Sequence, residues 1–283
     1  MKPPIFITGT QRSGTTLLCR ILTTHPAIFI RNEIPGVTRI FGMGQSREQI
    51  MADFDRAMEE SLGANLQNYL KQKNKHRWGL KDPDLTHCLS HLDSVFPEAK
   101  IIFIIRDGRA VANSYIKNMW GLGVNTYYGA LRWQREVNAQ IEFSRQHKDK
   151  CHVIKFEDLI VNHAEELKKI CEFIDEPYAE ELTNYYEHST EITKRKQSKN
   201  VFKKPDIKLT EKWKQELSQF QINVFETVAG NTLIEHGYEL IGEKIPISLP
   251  LKFWFYLQQS ILGEIQLQYQ WRIKEFLKKI SKK

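Results

Sequence analysis

Residues 4–22 read PIFITGTQRSGTTLLCRIL, and this stretch decides the fold. Pro4 to Gly9 is a short apolar run ending on a glycine, and Thr16 to Leu22 has apolar residues at helical spacing, so the order is strand, turn, helix. The turn, Gly9-Thr10-Gln11-Arg12-Ser13-Gly14-Thr15-Thr16, has the composition of a phosphate-binding loop, because its glycines let backbone N–H groups wrap an anion at a helix N-terminus. A tight turn without a ligand would not also need an arginine and a row of hydroxyls. A nucleoside triphosphatase loop needs a lysine where this chain has Thr15, since that lysine reaches the β and γ phosphates. Here the cation stands at Arg12. A loop that keeps the cradle and moves its charge suits a phosphate whose neighbouring group is the one transferred.

Lys100 to Ile105 (KIIFII) is apolar and rich in β-branched side chains, which predicts a parallel strand covered on both faces, in the middle of the sheet. Trp78 to Lys81 and Cys151 to Lys155 predict further strands. Helices are predicted over Arg47–Gln72, Leu85–Phe96 (closed by Pro97), Tyr127–Arg145, His163–Ile174 and Trp213–His236. Strands alternating with helices imply an α/β fold, P-loop-containing, with a mostly parallel central sheet flanked by helices on both faces. Residues 188–212 are basic and polar with no apolar period and predict a long loop. The tail from Leu251 to Lys283 has apolar residues at helical spacing and Lys-rich ends, and no run reaches the length of a membrane span. The expected organisation is one domain over residues 1–243 and an amphipathic helical extension over 244–283.

With 283 residues, 41% hydrophobic and 27% charged, the chain can bury one large core and is unlike a disordered or fibrous protein. A formal net charge of +7 favours an anionic ligand, macromolecule or membrane surface without choosing among them. Cys19, Cys88, Cys151 and Cys171 are scattered, form no CxxC pair and lie in apolar runs, so they read as small buried hydrophobes. The sequence begins Met-Lys-Pro-Pro and passes straight into a strand without a secretory signal; with the cysteine usage this predicts a reducing, cytoplasmic location. The nine histidines are scattered and no ligand cluster is visible, so no metal is expected.

The second motif is Ile105 to Ser114, IRDGRAVANS, where a buried strand empties into a charged turn. In open α/β sheets the carboxyl ends of the strands line the ligand crevice, and Arg106 with Ser114 suits a second phosphate held by charge-assisted hydrogen bonds. Standing alone, the motif would read as well as a solvated Arg-Asp pair. Together the two motifs resemble the PAPS-dependent sulfotransferases, PAPS being 3'-phosphoadenosine 5'-phosphosulfate. The resemblance is strongest to the tyrosylprotein sulfotransferases and covers most of residues 4–240. Arg12 to Leu17 (RSGTTL), His25-Pro26, Asn32-Glu33, Lys81-Asp82-Pro83, Phe96 to Lys100 (FPEAK), Arg106 to Ala110 (RDGRA), Phe156 to Leu159 (FEDL) and Lys204-Pro205 occur in the order of that group's segments.

The resemblance implies that Arg12, Ser13, Gly14, Thr15 and Thr16 hold the 5'-phosphosulfate, that Arg106 and Ser114 hold the 3'-phosphate, and that Phe156 and Lys204 contact the nucleotide. It implies Glu33 as the general base, with Arg12, Lys81 and Thr193 stabilising the transferred group, and 3'-phosphoadenosine 5'-phosphate as the product. Two positions depart from the group: its arginine after the Ser114 position is Asn118 here, beside Lys117, and its nucleotide-contacting tyrosine is Phe156.

Sulfuryl transfer needs in-line alignment and stabilisation of charge on the oxygens between nucleophile and leaving group, and the protein's cations suffice without a metal. A phenol of ordinary pKa ~10 is protonated at neutral pH, so a carboxylate such as Glu33 helps remove its proton. The expected acceptor is a hydroxyl compound, with a phenol or peptide tyrosine favoured, and no nucleic acid partner is expected. Without the motifs, Lys81 and Asp82 read as a surface pair and Glu33 as a helix-start carboxylate. The alternatives are a P-loop small-molecule kinase and a non-catalytic nucleotide-binding protein. Lys194 to Lys204 reads as a lid over the bound nucleotide. The tail is expected to pack on its own domain or on a partner subunit in a homodimer, with peripheral attachment to a membrane surface as the other reading.

Overall fold

Five parallel strands form one sheet in the order β2-β3-β1-β4-β5: β1 (Ile5–Thr8), β2 (Ile28–Asn32), β3 (Arg77–Lys81), β4 (Lys100–Ile105) and β5 (Cys151–Lys155). In chain order the helices are α1 (Thr15–Thr24), α2 (Val37–Ile40), α3 (Arg47–Leu62), α4 (Leu66–Gln72), α5 (Leu89–Val95), α6 (Gly108–Asn118) and α7 (Thr126–Gln146). After them come α8 (Phe156–Val161), α9 (His163–Phe173), α10 (Lys208–Glu211), α11 (Trp213–Glu216), α12 (Gln219–Glu235), α13 (Leu249–Gln258) and α14 (Glu264–Gln268). The computed structural model describes residues 2–42, 44–119, 121–188, 203–204 and 206–269. The chain divides into two compact units, Met1–Ile105 with Ala139–Ile207, and Arg106–Asn138 with Lys208–Lys283.

In the first unit the pleat sorts side chains by face, as a strand must. Phe6, Phe29, Trp78, Leu80, Ile101 and Phe103 enter one core, which is rich in aromatic rings and covered by α2, α3, α4 and α5. Phe96 stands between Phe6 and Phe54, at 5.3 Å from each ring centroid. Ile5, Ile7, Ile28, Ile30, Ile102 and Ile104 enter the other core, which is mostly aliphatic and covered by α1, α8 and α9. Burial on both faces explains why the strands read as unbroken apolar runs. The centre of the sheet is β1, which pairs with both β3 and β4, so KIIFII lies one strand off the middle where it was expected.

Three predicted helices are each two pieces. Residues 47–72 break at Gly63, whose left-handed φ of 70° ends α3, and Asn65 then caps α4 by accepting from Gln67 N at 3.0 Å. Residues 85–96 are a 3₁₀ turn over Pro83–His87, capped by Asp82, followed by α5. The helix expected over 213–236 stops at Leu217, and Ser218 starts α12 with a capping box completed by Gln221. Within the long loop expected over 188–212, residues 208–211 are helical. β2 and the short helix α8 were not anticipated at all.

In the second unit α6 starts on a network that absorbs most of the RDGRA motif. Asp107 caps α6 by accepting from Arg109 N and also accepts from the Arg109 guanidinium through both carboxylate oxygens. Arg109 also donates to Glu226 of α12 and to Glu239 O, and stacks over the Trp213 ring at 4.1 Å. Glu226 in turn accepts from Ile241 N and Gly242 N. All three charged side chains are buried, so each needs the others to offset desolvation. Among the described residues no helix is long and apolar enough to cross a membrane, and the four cysteines are free and buried.

Gly108 lies inside this packing: a Cβ there would stand 2.5 Å from Phe225 Cζ and from Trp133 Cδ2. Gly108→Ala should destabilise the fold by about 1–3 kcal/mol, read as a lower urea midpoint at unchanged slope, whereas an alanine tolerated within a few tenths would show that the two rings yield.

Candidate active site

The carboxyl ends of β1, β2 and β3 meet at one residue. The register pairs Lys81, the last residue of β3, with Ile7 on one side and Asn32 on the other. Its side chain is fully buried, and its Nζ donates to Glu33 Oε1 at 2.6 Å and to Thr16 Oγ1 at 3.2 Å. An ammonium removed from water needs such partners, so Lys81 ties the start of α1 to the end of β2. Glu33 itself follows β2 with a left-handed φ of 61°, and its N–H donates to Lys81 O at 2.8 Å. That conformation is costly for a residue other than glycine and is held here from both its backbone and its carboxylate. The Glu33 side chain keeps about a third of its surface exposed (36%), whereas Lys81 has none.

The loop from β1 to α1 has the form of an anion cradle. Arg12 (φ 75°) and Gly14 (φ 107°) are left-handed, and Ser13 N donates to Thr10 O at 3.0 Å. Gly9 has no room for a Cβ, which would stand 2.4 Å from Ile104 O and 2.7 Å from Ser13 Oγ. At Gly14 a Cβ would stand 2.4 Å from Phe156 Cδ2, so the Phe156 ring, buried in the aliphatic core, supports the loop. No side chain caps α1, and the hydroxyls of Thr10 and Ser13 are buried without a hydrogen-bond partner among the described residues. Uncapped N–H groups and orphaned hydroxyls in a glycine-bounded loop fit a phosphate or sulfate group.

Asp82, part of the Lys81-Asp82-Pro83 segment and without the motifs a candidate for a surface pair, is buried and holds the backbone next to Glu33. Its Oδ2 accepts from Ile34 N at 3.3 Å, one residue past Glu33, and its Oδ1 accepts from Asp84 N at 3.0 Å. Arg31 Nε and Asn32 Oδ1, at the end of β2 beside Glu33, are also buried without a partner among the described residues. The signal for this edge is the apolar run Ile28-Phe29-Ile30, too short to separate from a helical turn.

Arg106 and Ser114 belong to the second unit, Arg106 directly after β4 in sequence. The Arg106 guanidinium donates to Leu209 O at 3.1 Å, and its carbonyl accepts from Trp133 Nε1 at 3.0 Å. Asn118, the departure from the expected arginine, donates to Ser114 Oγ at 3.0 Å and to Ser114 O. Its neighbour Lys117 is engaged by Glu216. Burial raises the Glu216 carboxyl, but hydrogen bonds from Lys117, Asn113 and Lys212 outweigh it and hold the group down to about 2. Lys204 is exposed. Thr193 lies outside the described residues, as does most of the proposed lid. The structure therefore brings Thr16, Glu33 and Lys81 together and carries Arg106 and Ser114 on another unit.

Burial pushes the Asp82 carboxyl up to about 6 from its ordinary 3.8. The folded chain holds this proton more tightly than the unfolded one, so the stabilisation is present below about pH 4 and is lost as pH rises through about 6. Asp82→Asn should remove that loss. From about pH 4 to about pH 6.5, urea titrations should show the variant gaining on the wild type by at most about 3 kcal/mol, and parallel curves would rule out Asp82 as the titrating group.

Comparison with known proteins places these features in context. The family model described as "Sulfotransferase family" matches residues 3–180. The chain is similar to protein-tyrosine sulfotransferase 1 of Danio rerio, at 28% identity over 200 residues covering 65% of this chain and 56% of that one. It is similar to protein-tyrosine sulfotransferase 1 of Homo sapiens at 34% over 150 residues, 48% of this chain and 40% of that one. The chain thus spans about half the length of the curated relatives it matches. Among solved structures, a sulfotransferase domain from the curacin biosynthetic pathway superposes with a TM-score of 0.63 at 20% identity, covering 85% of this chain and 99% of that one. A mouse sulfotransferase complexed with PAP superposes at 0.51 with 15% identity, covering 82% and 84%. At these identities the structures share the fold.

Proposed function

This chain belongs to the sulfotransferase family, and on that premise we propose that it moves a sulfuryl group from PAPS to an acceptor hydroxyl, with Glu33 as general base. The observation that carries the reading is the Lys81 ammonium, which joins the carboxylate to the first turn of α1 through Glu33 Oε1 and Thr16 Oγ1. PAPS supplies the sulfuryl group and leaves as the 3',5'-bisphosphate. The uncapped start of α1 and the hydroxyls of Thr10 and Ser13 hold the anion, with Arg12, Gly14, Thr15 and Thr16 forming the rest of the cradle. Lys81 and Arg12 supply positive charge where negative charge develops, and Thr193 adds a hydroxyl in the same role. Arg106 and Ser114 bind the 3'-phosphate, and Lys204 and Phe156 complete nucleotide binding, Phe156 by supporting the loop.

Glu33 takes the proton of the acceptor hydroxyl, and the partial exposure of its carboxylate leaves room for that approach. A phenol, and a peptide tyrosine in particular, is the acceptor we favour, because the similar curated proteins are named protein-tyrosine sulfotransferases. Among the described residues no group of three or more His, Cys, Asp or Glu side chains is placed to hold a metal ion. Four free, buried thiols suit a reducing compartment, and a cytoplasmic location is part of the proposal.

Two measurements test this reading. The 3',5'-bisphosphate at about a hundred times its dissociation constant should stabilise the protein by about 2.7 kcal/mol while ATP with magnesium does not, and Arg106→Ala should lose much of the gain. Stronger stabilisation by ATP with magnesium would transfer the site to kinase chemistry. Glu33→Gln should lower kcat for sulfation of a tyrosine peptide by about 10²–10⁴-fold while keeping the thermal shift given by the bisphosphate; a variant that keeps its kcat removes Glu33 as the base.

A further inference from the structure

Helices α13 and α14, with the π turn Gln259–Gly263 between them, reverse the usual division of a surface helix, whose apolar face turns to the core. Apart from the Phe255 ring and the Leu267 side chain, which lies against Gly121, the inward contacts described are polar or made by glycine. Gln259 accepts from Val124 N at 3.0 Å and donates to Gly121 O at 2.7 Å, and Gln266 accepts from Gly121 N at 3.0 Å. Asn125 donates to Phe255 O, and a Cβ on Gly121 would stand 2.5 Å from Gly263 O, so the backbones touch. Phe255 is the ring that turns inward, stacked on Tyr127 at 5.2 Å. These contacts lie within the second unit and fix the orientation of the helix.

The outward side chains are apolar and aromatic. Phe253, Trp254, Tyr256, Ile261, Ile265 and Tyr269 are each more than half exposed. The Phe253 and Tyr256 rings stack on each other at 6.5 Å. The π turn contributes to this, because an extra residue in one turn rotates the next turns of the helix and brings their side chains toward the same side. Apolar surface presented this way, after the polar face has already docked, marks an interaction site.

Charge selects the occupant. Residues 270–283, which continue the sequence from this helix, contain one Arg and five Lys against one Glu and so hold +5 of the chain's formal +7. The remaining 269 residues, including the whole candidate active site, share +2. Lysines clustered in the sequence that follows the helices with exposed Trp and Tyr match the chemistry of an anionic lipid surface, where aromatic rings lie at headgroup level and lysines meet the negative surface potential. We propose that α13 and α14 dock the protein onto the surface of an anionic bilayer, lying in the interface rather than crossing it. The inference is independent of the reaction proposed above.

The test is co-sedimentation of the full chain with vesicles of phosphatidylcholine alone and of phosphatidylcholine with about 30% phosphatidylserine, at about 0.05 M and about 0.5 M salt. The expected result is at least about tenfold stronger binding to the acidic vesicles at low salt, most of it lost at high salt. The double variant Phe253→Ser with Trp254→Ser, whose side chains are exposed, should lose about tenfold while keeping the wild-type melting temperature. Lys278→Glu with Lys279→Glu gives a second, charge-only reading of the same loss. Failure to bind acidic vesicles, equal binding to neutral ones, or undiminished binding by both variants overturns the proposal. So does a concentration-dependent dimer that the Phe253/Trp254 variant abolishes, since a second copy would then cover the face.

Discussion

A fully buried lysine sets the terms for the first unit. Lys81 has no exposed side-chain surface, and an ammonium in that state must be matched by oxygen atoms held in place by the fold. Two are supplied: Glu33 Oε1 from the end of β2 and Thr16 Oγ1 from the first turn of α1. Both are delivered by backbone, since β3 lies between β1 and β2 and its last residue is in register with both. A shift of one residue in either pairing would turn Lys81 to the opposite face and leave it in one of the two apolar cores. The sheet register and the ion pair therefore specify each other.

Backbone strain is also stored where the chain turns sharply at that point. Glu33 and Arg12 are non-glycine residues with positive φ, and Gly14 between loop and helix is also left-handed. Neighbours hold two of these positions and the one after Glu33: Glu33 by Lys81 O, Gly14 by the Phe156 ring, and Ile34 by Asp82. A loop held this way is preorganised, so little of the binding energy of an anion is spent on ordering it. The substitution of phenylalanine at 156 is intelligible in these terms, because the ring's packing against Gly14 does not need a hydroxyl.

The second motif shows how one short sequence serves two ends. Asp107, Gly108 and Arg109 are committed to the start of α6, through a cap, a close approach to Trp133 and Phe225, and a buried network with Glu226. Arg106 and Ser114 flank that scaffold. The charge of the chain is divided in a similar way. The basic excess, which suggested an anionic partner for the whole protein, is concentrated in two segments outside the phosphate loop, Lys194 to Lys204 and the residues after 269.

What the sequence determined by itself was local and periodic. The apolar runs IFIT and KIIFII, the glycine-bounded loop and the helical spacing of α1, α7 and α9 follow from side-chain burial and backbone freedom, which depend on near neighbours. They sufficed for a P-loop-containing α/β fold with a parallel sheet, and motif order singled out Glu33 and Lys81, which the structure brings into contact. Helix breaks at Gly63 and Ser218 were written in cap chemistry but overridden by the apolar period around them. Tertiary structure alone decided that β1 rather than β4 is central, that IFIRN is an edge strand and that Asp82 is buried next to the backbone that follows Glu33. It also decided that the segment from α13 to α14 docks through Gln259, Gln266 and the Phe255 ring and turns Phe253, Trp254 and Tyr256 outward. Each of these depends on which distant segment covers a given face, and hydropathy along the chain records that a face is apolar without recording what lies against it.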